Sequence, residues 1–211
     1  MPLLSIIRHG ETEWNRQRRI QGQGDSALTA VGLRQAEAVA RRISQVAPSR
    51  LVSSDLGRTI QTAQPIAAVT ALTLETGSGL RERSFGIFEG LTPAEIEGRY
   101  PAEHALWQAR DPAFAIPGGE SLLALRERIS TTLERIAGQS AGNVVIVTHG
   151  GVLDAIYRIT LGLSMHAPRT WQLLNASVNQ VEINFTAGAA AWRLHDWADT
   201  CHLDEAEDEI G

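Results

Sequence analysis

A histidine between an arginine and a glycine follows the first apolar segment of the chain. Leu3–Ile7 has the branched apolar residues of a short buried strand, and Arg8, His9 and Gly10 come directly after it. In an open α/β sheet, ligands bind just beyond the carboxyl ends of the strands. Imidazole is a nucleophile, guanidinium binds oxyanions, and glycine lets the backbone approach a ligand. The segment indicates chemistry on an anion, although it also fits a capping histidine beside a surface arginine.

Three later segments that are predicted to follow strands carry the same types of side chain. Arg58 lies in the first turn of a helix, whose dipole and free N–H groups attract anions. Glu82 lies in an Arg-Glu-Arg run, and His149 precedes two glycines that open a helix. Taken singly, they also fit a surface arginine paired with Asp55, a solvated carboxylate and a satisfied histidine at a helix start. Because parallel strands end at one edge of a sheet, we expect all three around one crevice.

Strands and helices alternate along the chain and must position these residues. The predicted strands are Leu3–Ile7, Arg50–Ser53, Leu72–Leu74, Asn143–Val147, Val178–Phe185 and Ala190–His195. The predicted helices run from the N-cap Thr29 to Val46, from the N-cap Asp55 to Val69, and over Pro93–Arg99, Pro101–Arg110, Glu120–Ile136 and Val152–Leu161. The buried face of the first helix is predicted to hold Leu33, Ala36, Ala40 and Ile43. This alternation predicts one α/β domain over residues 1–211, a three-layer α/β/α sandwich whose mostly parallel central sheet has an antiparallel edge strand.

The composition limits the chemistry that the chain can use. All nineteen basic residues are arginine, which excludes a Schiff-base lysine, a P-loop lysine and pyridoxal attachment. Cys201 is the single cysteine, which excludes an internal disulfide and a thiol cluster for zinc. The net charge of -5 argues against a nucleic-acid partner, and no segment has the length of a membrane span. We therefore expect a cytoplasmic protein without a nucleic-acid or membrane partner.

Four segments then carry a family resemblance in the correct order along nearly the whole chain. They are Arg8–Thr12, Ser53–Ala63, Leu80–Glu82 and Val147–Gly151, with weaker support from Trp14–Gln23 and Asp25–Thr29. Together they resemble the histidine phosphatase superfamily in its phosphoglycerate mutase-like branch, and most closely its small broad-specificity phosphatases. The resemblance implies a phosphoglycerate mutase-like fold and chemistry without a metal or another cofactor, and it is compatible with a homodimer.

The resemblance also implies a role for each site residue. His9 would be the nucleophile and Glu82 the proton donor, while Arg8, Arg58 and His149 would complete the catalytic set and bind the phosphate. Further substrate contacts are implied for Gly10, Asn15, Gln21, Gly22 and Gly150. We expect the positive neighbours of His9 to keep its imidazole neutral and therefore nucleophilic.

Three functions fit this resemblance, and the sequence ranks them. The interval from Glu82 to His149 is short, whereas mutases carry a longer basic insertion there, and Gly151 stands where mutases tend to have asparagine. A less covered site admits water to a phosphoenzyme. We therefore predict a phosphomonoesterase that hydrolyses a small phosphorylated metabolite through a phosphohistidine. The alternatives are a cofactor-dependent phosphoglycerate mutase and a non-catalytic phospholigand-binding module, which would be expected to have lost one of the catalytic side chains.

Two further segments receive a prediction. Residues 85–117 mix aromatic and charged side chains and are predicted to form a lid over a substrate with an organic body. The aromatic residues Phe88 and Trp107 also fit a small core within this lid. The acidic tail, at about 203–211, is predicted to be solvated. The sequence leaves open the identity of the substrate and the roles of Trp14 and His104.

Overall fold

A six-stranded sheet forms the centre of the protein, whose computed structural model describes residues 2–186 and 188–203. The strands are β1 (Leu3–Arg8), β2 (Arg50–Ser54), β3 (Leu74–Gly77), β4 (Val144–Thr148), β5 (Val178–Thr186) and β6 (Ala189–Asp199). Their order across the sheet is β3-β2-β4-β1-β5-β6. The pairs β2–β3, β2–β4 and β1–β4 are parallel, whereas β5 runs antiparallel to both β1 and β6. The antiparallel pairing therefore lies at one side of a mostly parallel sheet, as predicted.

Helices cover both faces of this sheet. They are α1 (Glu13–Arg16), α2 (Ala30–Ser44), α3 (Gly57–Thr70), α4 (Pro93–Arg99), α5 (Pro101–Gln108), α6 (Leu122–Gly138) and α7 (Gly150–Thr160). Side chains of β4 alternate between the two faces, as in any strand. Val144 and Ile146 pack in the cluster that contains α6 and α7, and Val145 and Val147 pack in the cluster that contains α2 and α3. The two clusters confirm the three-layer α/β/α sandwich.

The segment 85–117 has a small apolar cluster of its own. Phe88, Ile96 and Ile116 are its buried centre, and Trp107 packs against them from a partly buried position. Phe88 is therefore a core residue of this segment, whereas Trp107 packs against this core and also lines a cavity. His104 is also buried, and its Nε2 lies 3.0 Å from Nε2 of Gln108.

Three local predictions were wrong. Asp55 does not cap α3, because its carboxylate accepts two hydrogen bonds from Arg81 at 2.7 Å each. The first amides of α3, on Gly57 and Arg58, donate instead to the distant Asp25 carboxylate, at 2.7 and 3.3 Å. β3 begins at Leu74 rather than Leu72, where its register with β2 starts. Leu33 is 52% exposed because it lies on the outer face of α2.

The predicted acidic tail, at about 203–211, lies outside the described residues beyond Leu203. Among the helices that the structure describes, none has the length and apolar character needed to cross a lipid bilayer.

Candidate active site

A cavity of about 620 Å³ opens at the carboxyl edge of the parallel strands, where the sequence predicted a crevice. Eight of the predicted site residues line it: Arg8, His9, Asn15, Gln21, Gly22, Arg58, Glu82 and Gly150. Gly10 and His149 are not among the lining residues. The His9 and His149 rings contact edge to face, with their centroids 5.3 Å apart. The four strand ends therefore meet around one cavity.

The ring of His9 is held in one orientation. It is 3% exposed, and its Nδ1 lies 2.8 Å from the carbonyl oxygen of Gly10. A carbonyl can only accept, so Nδ1 carries the hydrogen and Nε2 keeps its lone pair. The backbone of His9 is fixed as well, because its N–H donates to the carbonyl of Thr148 and its carbonyl accepts from the Asn175 side chain, at 3.0 and 2.9 Å. Nε2 is the ring atom that remains available to a substrate.

The pKa of His9 lies well below its ordinary value. Burial of the ring is the largest cause, followed by the positive charges of Arg8 and Arg58. This shift favours the neutral imidazole that the sequence predicts, and desolvation contributes more to it than the arginines on which the prediction was based. A neutral ring with a free Nε2 lone pair is a competent nucleophile.

Arg58 is the side chain that ties the buried side of the site together. It is 1% exposed and reaches the 22–25 loop, donating to the carbonyls of Gly22 and Gly24 at 2.8 and 2.7 Å. Its Nη1 also lies 3.3 Å from the carboxylate of Asp25. Burial lowers the pKa of Arg58, and the charges of Glu82 and Asp25 oppose this shift. The guanidinium keeps its charge, since arginine is not deprotonated in proteins.

Both ring nitrogens of His149 face protein partners. Nε of Arg58 donates to Nδ1 of His149 at 3.2 Å, so Nε2 carries the hydrogen and points to Oγ of Ser54 at 2.9 Å. Burial, then the charges of Arg58 and His9, lower the pKa of His149 well below its ordinary value. In this arrangement His149 orients Arg58 from behind the cavity, and its direct contact with phosphate stays a prediction.

Arg8 supplies the second guanidinium beside His9. Its Nη1 donates to the carbonyl of Leu173, while its Nε is buried without a partner among the described residues. Burial lowers the pKa of Arg8 to about 10, with Glu82 raising it and Arg169 and Arg58 lowering it. Arg8 is therefore still positively charged at neutral pH and keeps a donor that a bound oxyanion can use.

Asn15 is oriented by the cap of α1. Its Oδ1 accepts from the backbone N–H and the hydroxyl of Thr12, at 3.2 and 3.0 Å. This turns the amide oxygen toward the protein and leaves the Nδ2 donor for the cavity. The neighbouring Gln21 is 9% exposed, and its Oε1 has no partner among the described residues.

A carboxylate that the sequence reading missed holds the 22–25 loop in place. Glu89 accepts from the backbone N–H groups of Gln23, Gly24 and Phe85, at 2.9, 3.1 and 2.9 Å. Gly22 has φ +54°, and a Cβ built there would lie 2.2 Å from Oε1 of Glu89. Only glycine fits that position without strain.

Glu82 lines the cavity, and its carboxylate contacts the first turn of α7. Its Oε1 accepts from the N–H of Arg83 at 2.7 Å, and its Oε2 accepts from the N–H of Gly151 at 2.8 Å. Both carboxylate oxygens are therefore anchored by backbone groups. The negative charge of Glu82 raises the pKa of both Arg8 and Arg58, so the three side chains interact electrostatically.

The outer part of the cavity is lined in part by the predicted lid segment 85–117, through Phe85, Trp107, Arg110, Asp111 and Phe114, whereas its other lining residues were not predicted. The polar residues of this outer lining are Arg19, Arg83, Arg110, Asp111, Asp154, Arg169, Trp171 and Gln172. Several lie in the irregular segment between α7 and β5, which has no hydrophobic period and follows no strand. Sequence patterns give no signal for such residues. Within the described parts of the chain, no group of three or more His, Cys, Asp or Glu side chains is placed to hold a metal ion.

Comparisons with known proteins agree with this geometry. The sequence profile of the histidine phosphatase superfamily (branch 1) matches residues 4–200. A curated relative named probable phosphoglycerate mutase GpmB, from Yersinia pestis, is 40% identical over 213 residues, which cover 97% of each chain.

Solved structures show the same similarity. A mycobacterial glucosyl-3-phosphoglycerate phosphatase, solved with VO3, has a TM-score of 0.82 at 32% identity, covering 94% of this chain and 99% of that chain. A phosphoserine phosphatase mutant from Entamoeba histolytica, solved with phosphoserine, has a TM-score of 0.82 at 28% identity, covering 96% and 100%. With a matching profile over nearly its full length and a relative at 40% identity, this chain belongs to the histidine phosphatase superfamily, branch 1.

Proposed function

We propose that the protein hydrolyses a small phosphomonoester in two steps, through a phosphohistidine on His9 and without a metal ion. One observation carries this proposal. A neutral imidazole with a free Nε2 lies beside the guanidinium groups of Arg8 and Arg58, and Glu82 lines the same cavity. These are the nucleophile, the charge stabilisers and the proton donor that phosphoryl transfer to nitrogen requires.

In the first step, Nε2 of His9 attacks phosphorus while the bond from phosphorus to the leaving oxygen breaks. Arg8 and Arg58 stabilise the charge on the equatorial phosphate oxygens, with Asn15 Nδ2 as a further donor. Glu82, in its protonated form, gives its proton to the leaving oxygen, which departs as an alcohol. Proton transfer of this kind contributes about 10²–10⁴-fold to a rate.

In the second step, a water molecule attacks the phosphohistidine. The ionised Glu82 takes a proton from this water as the new oxygen–phosphorus bond forms and the nitrogen–phosphorus bond breaks. Inorganic phosphate leaves, and His9 returns to its neutral state. Two lining residues of the outer cavity, Asp111 and Arg169, are exposed to solvent, which supports access of water to this step.

The charges of the outer cavity favour a leaving group with a second anionic group. Arg83 is buried, and its side chain donates to the carbonyls of Glu120 and Phe114, at 2.7 and 3.4 Å. Arg110 lines the cavity with its Nε buried and unpartnered within the described chain. Asp111 and Asp154 line the same cavity and offset part of this charge, and a carboxylate or second phosphate on the substrate would pair with the remainder.

Two solved relatives are phosphatases named after compounds of this kind. Glucosyl-3-phosphoglycerate and phosphoserine each combine a phosphate ester with a carboxylate. We therefore propose phosphorylated carboxylates as the first substrates to examine for this protein.

The test is release of inorganic phosphate in the presence of EDTA. The panel contains p-nitrophenyl phosphate, 3-phosphoglycerate, phosphoserine and glycerol 3-phosphate. We expect turnover by the native protein, at least a thousandfold loss in His9→Ala, and an acid-labile phosphate on His9 when turnover is quenched. Turnover that is unchanged in His9→Ala would overturn the mechanism.

Phosphoglycerate mutase activity is the second candidate, because the GpmB relative bears that name. It is measured as interconversion of 3- and 2-phosphoglycerate after priming with 2,3-bisphosphoglycerate. Isomerisation that is faster than phosphate release would favour the mutase. Binding of these esters with neither reaction would favour a non-catalytic module.

A further inference from the structure

The backbone of α7 holds the carboxylate of Glu82 where a Cβ on Gly151 would collide with it. The N–H of Gly151 donates to Oε2 of Glu82 at 2.8 Å. A Cβ built on Gly151 would lie 2.3 Å from Oε1 and 3.1 Å from Cδ of the same carboxylate. Real Cβ atoms do not approach other atoms to 2.3 Å, so any larger residue at this position must displace Glu82.

The displacement would concern a side chain and not the fold. The atoms nearest to the built Cβ are the end of the flexible Glu82 side chain, and no backbone atom is among them. Gly151 lies inside α7 without a positive φ, and alanine is favoured over glycine in helices. The two anchors of Glu82, the N–H groups of Arg83 and Gly151, leave the carboxylate little freedom to move while both hydrogen bonds are kept.

We propose that Gly151 is a positioning residue for Glu82. The absent side chain lets the first turn of α7 hold the carboxylate against the cavity wall, within reach of the leaving oxygen. This inference rests on the proposed function, because it assigns Gly151 to the proton donor of that reaction. It predicts that Gly151→Ala leaves a folded protein whose proton donor is out of place.

The leaving group distinguishes this role from a structural one. An aliphatic alkoxide cannot depart without a proton, whereas p-nitrophenolate spreads its charge over the ring and departs unprotonated. Loss of the proton donor therefore slows hydrolysis of aliphatic esters far more than hydrolysis of p-nitrophenyl phosphate. A general loosening of the site would slow both substrates to a similar extent.

The experiment compares kcat/KM for p-nitrophenyl phosphate with that of the aliphatic ester in the panel that is hydrolysed fastest. We expect Gly151→Ala to lower the aliphatic value at least tenfold and the p-nitrophenyl value less than threefold. Glu82→Gln should show the same selectivity with a larger effect, of about 10² or more. In the double variant, Gly151→Ala should add less than twofold to Glu82→Gln, because both changes act on one carboxylate.

Gly98→Ala is the matched control. Gly98 also lies in a helix, and a Cβ built there meets no atom within 4 Å. It should change neither substrate by more than twofold, and thermal melting should show that both alanine variants are folded. Equal losses on both substrates, or full additivity with Glu82→Gln, would overturn the assignment while phosphatase activity stands. Absence of phosphate release by the native protein would overturn the proposed function and this assignment together.

Discussion

The two ends of the cavity are built in different ways. The inner end, around His9, Arg58 and His149, is called the phosphate end because we propose that phosphate binds there. Its polar groups are hydrogen-bonded to one another: Arg58 joins His149 to the 22–25 loop, and His9 is held through its ring and both backbone groups. At the outer end, Arg110 has a buried Nε without a partner in the described chain, and Arg169 is exposed.

We interpret this difference as a division of roles, with catalysis at the phosphate end and substrate selectivity at the outer end. Groups that must stabilise one transition state profit from being held before the substrate arrives. Groups that recognise a leaving group need unsatisfied donors, which the substrate completes when it binds. We therefore expect substitutions at the phosphate end to affect all substrates alike, and substitutions at the outer end to affect some substrates only.

Among the substitutions that test this separation, Arg58→Gln is expected to have the largest effect. Arg58→Gln removes the charge that we propose stabilises the transferring phosphoryl group, together with a donor that orients His149. We expect kcat/KM to fall by about 10²–10³-fold for every ester in the panel. A loss confined to one class of ester would break the proposed separation of the two ends.

Arg110→Gln tests the opposite end. It should raise KM and lower kcat/KM about tenfold for phosphorylated carboxylates, because a charge-assisted hydrogen bond is lost. For p-nitrophenyl phosphate, which lacks a second anionic group, the change should stay within threefold. Arg126→Gln, an exposed arginine of α6 outside the cavity, is the control and should change neither value.

The pH dependence of stability gives the next prediction. The folded-state pKa values of His9 and His149 lie well below the unfolded value of about 6.5, so the unfolded chain binds more protons below that pH. Stability is therefore retained above about pH 7 and lost as the pH falls below 6.5. Between pH 7.5 and 5.5 the two rings together should cost about 2–3 kcal/mol of unfolding free energy.

Urea denaturation at several pH values measures this loss. His9→Ala should remove about half of the dependence on pH in this range. A dependence that is unaltered in His9→Ala would show that other groups cause it.

The smallest expected effect concerns the distant cap of α3. Asp25→Ala removes the acceptor for the first amides of this helix, which has no capping side chain of its own. We expect a loss of about 1 kcal/mol of unfolding free energy. Asp111→Ala at the outer end should cost less than half as much, and equal costs would contradict the contrast between the two ends.

The phosphate end could be predicted because it follows strand ends. Runs such as Val144–Val147 identify buried strands, and parallel strands end at one edge. His9 and His149 follow their strands directly, and Arg58 lies in the first turn of the helix after β2. The role of Asp55 could not be predicted in this way. Its spacing before α3 fits a cap, but a bidentate pair with Arg81 competes for the same carboxylate.

The outer end was predicted only as a lid over residues 85–117, without the individual side chains that line the cavity. Arg110 and Arg169 lie in irregular segments, where no period or neighbouring strand fixes the direction of a side chain. Their placement depends on how the segments 85–117 and 163–175 pack around the cavity. Glu89 likewise became visible only through the backbone groups that it binds.

Glu89 has a consequence for engineering. Its single carboxylate joins the loop around Gly24 to the first residue of the segment 85–117. A chimera that imports this whole segment from a relative would lose the joint unless an acidic residue is retained there. Grafts that begin at Leu91 keep this contact, and we expect them to exchange the outer lining of the cavity while the surroundings of His9 stay native.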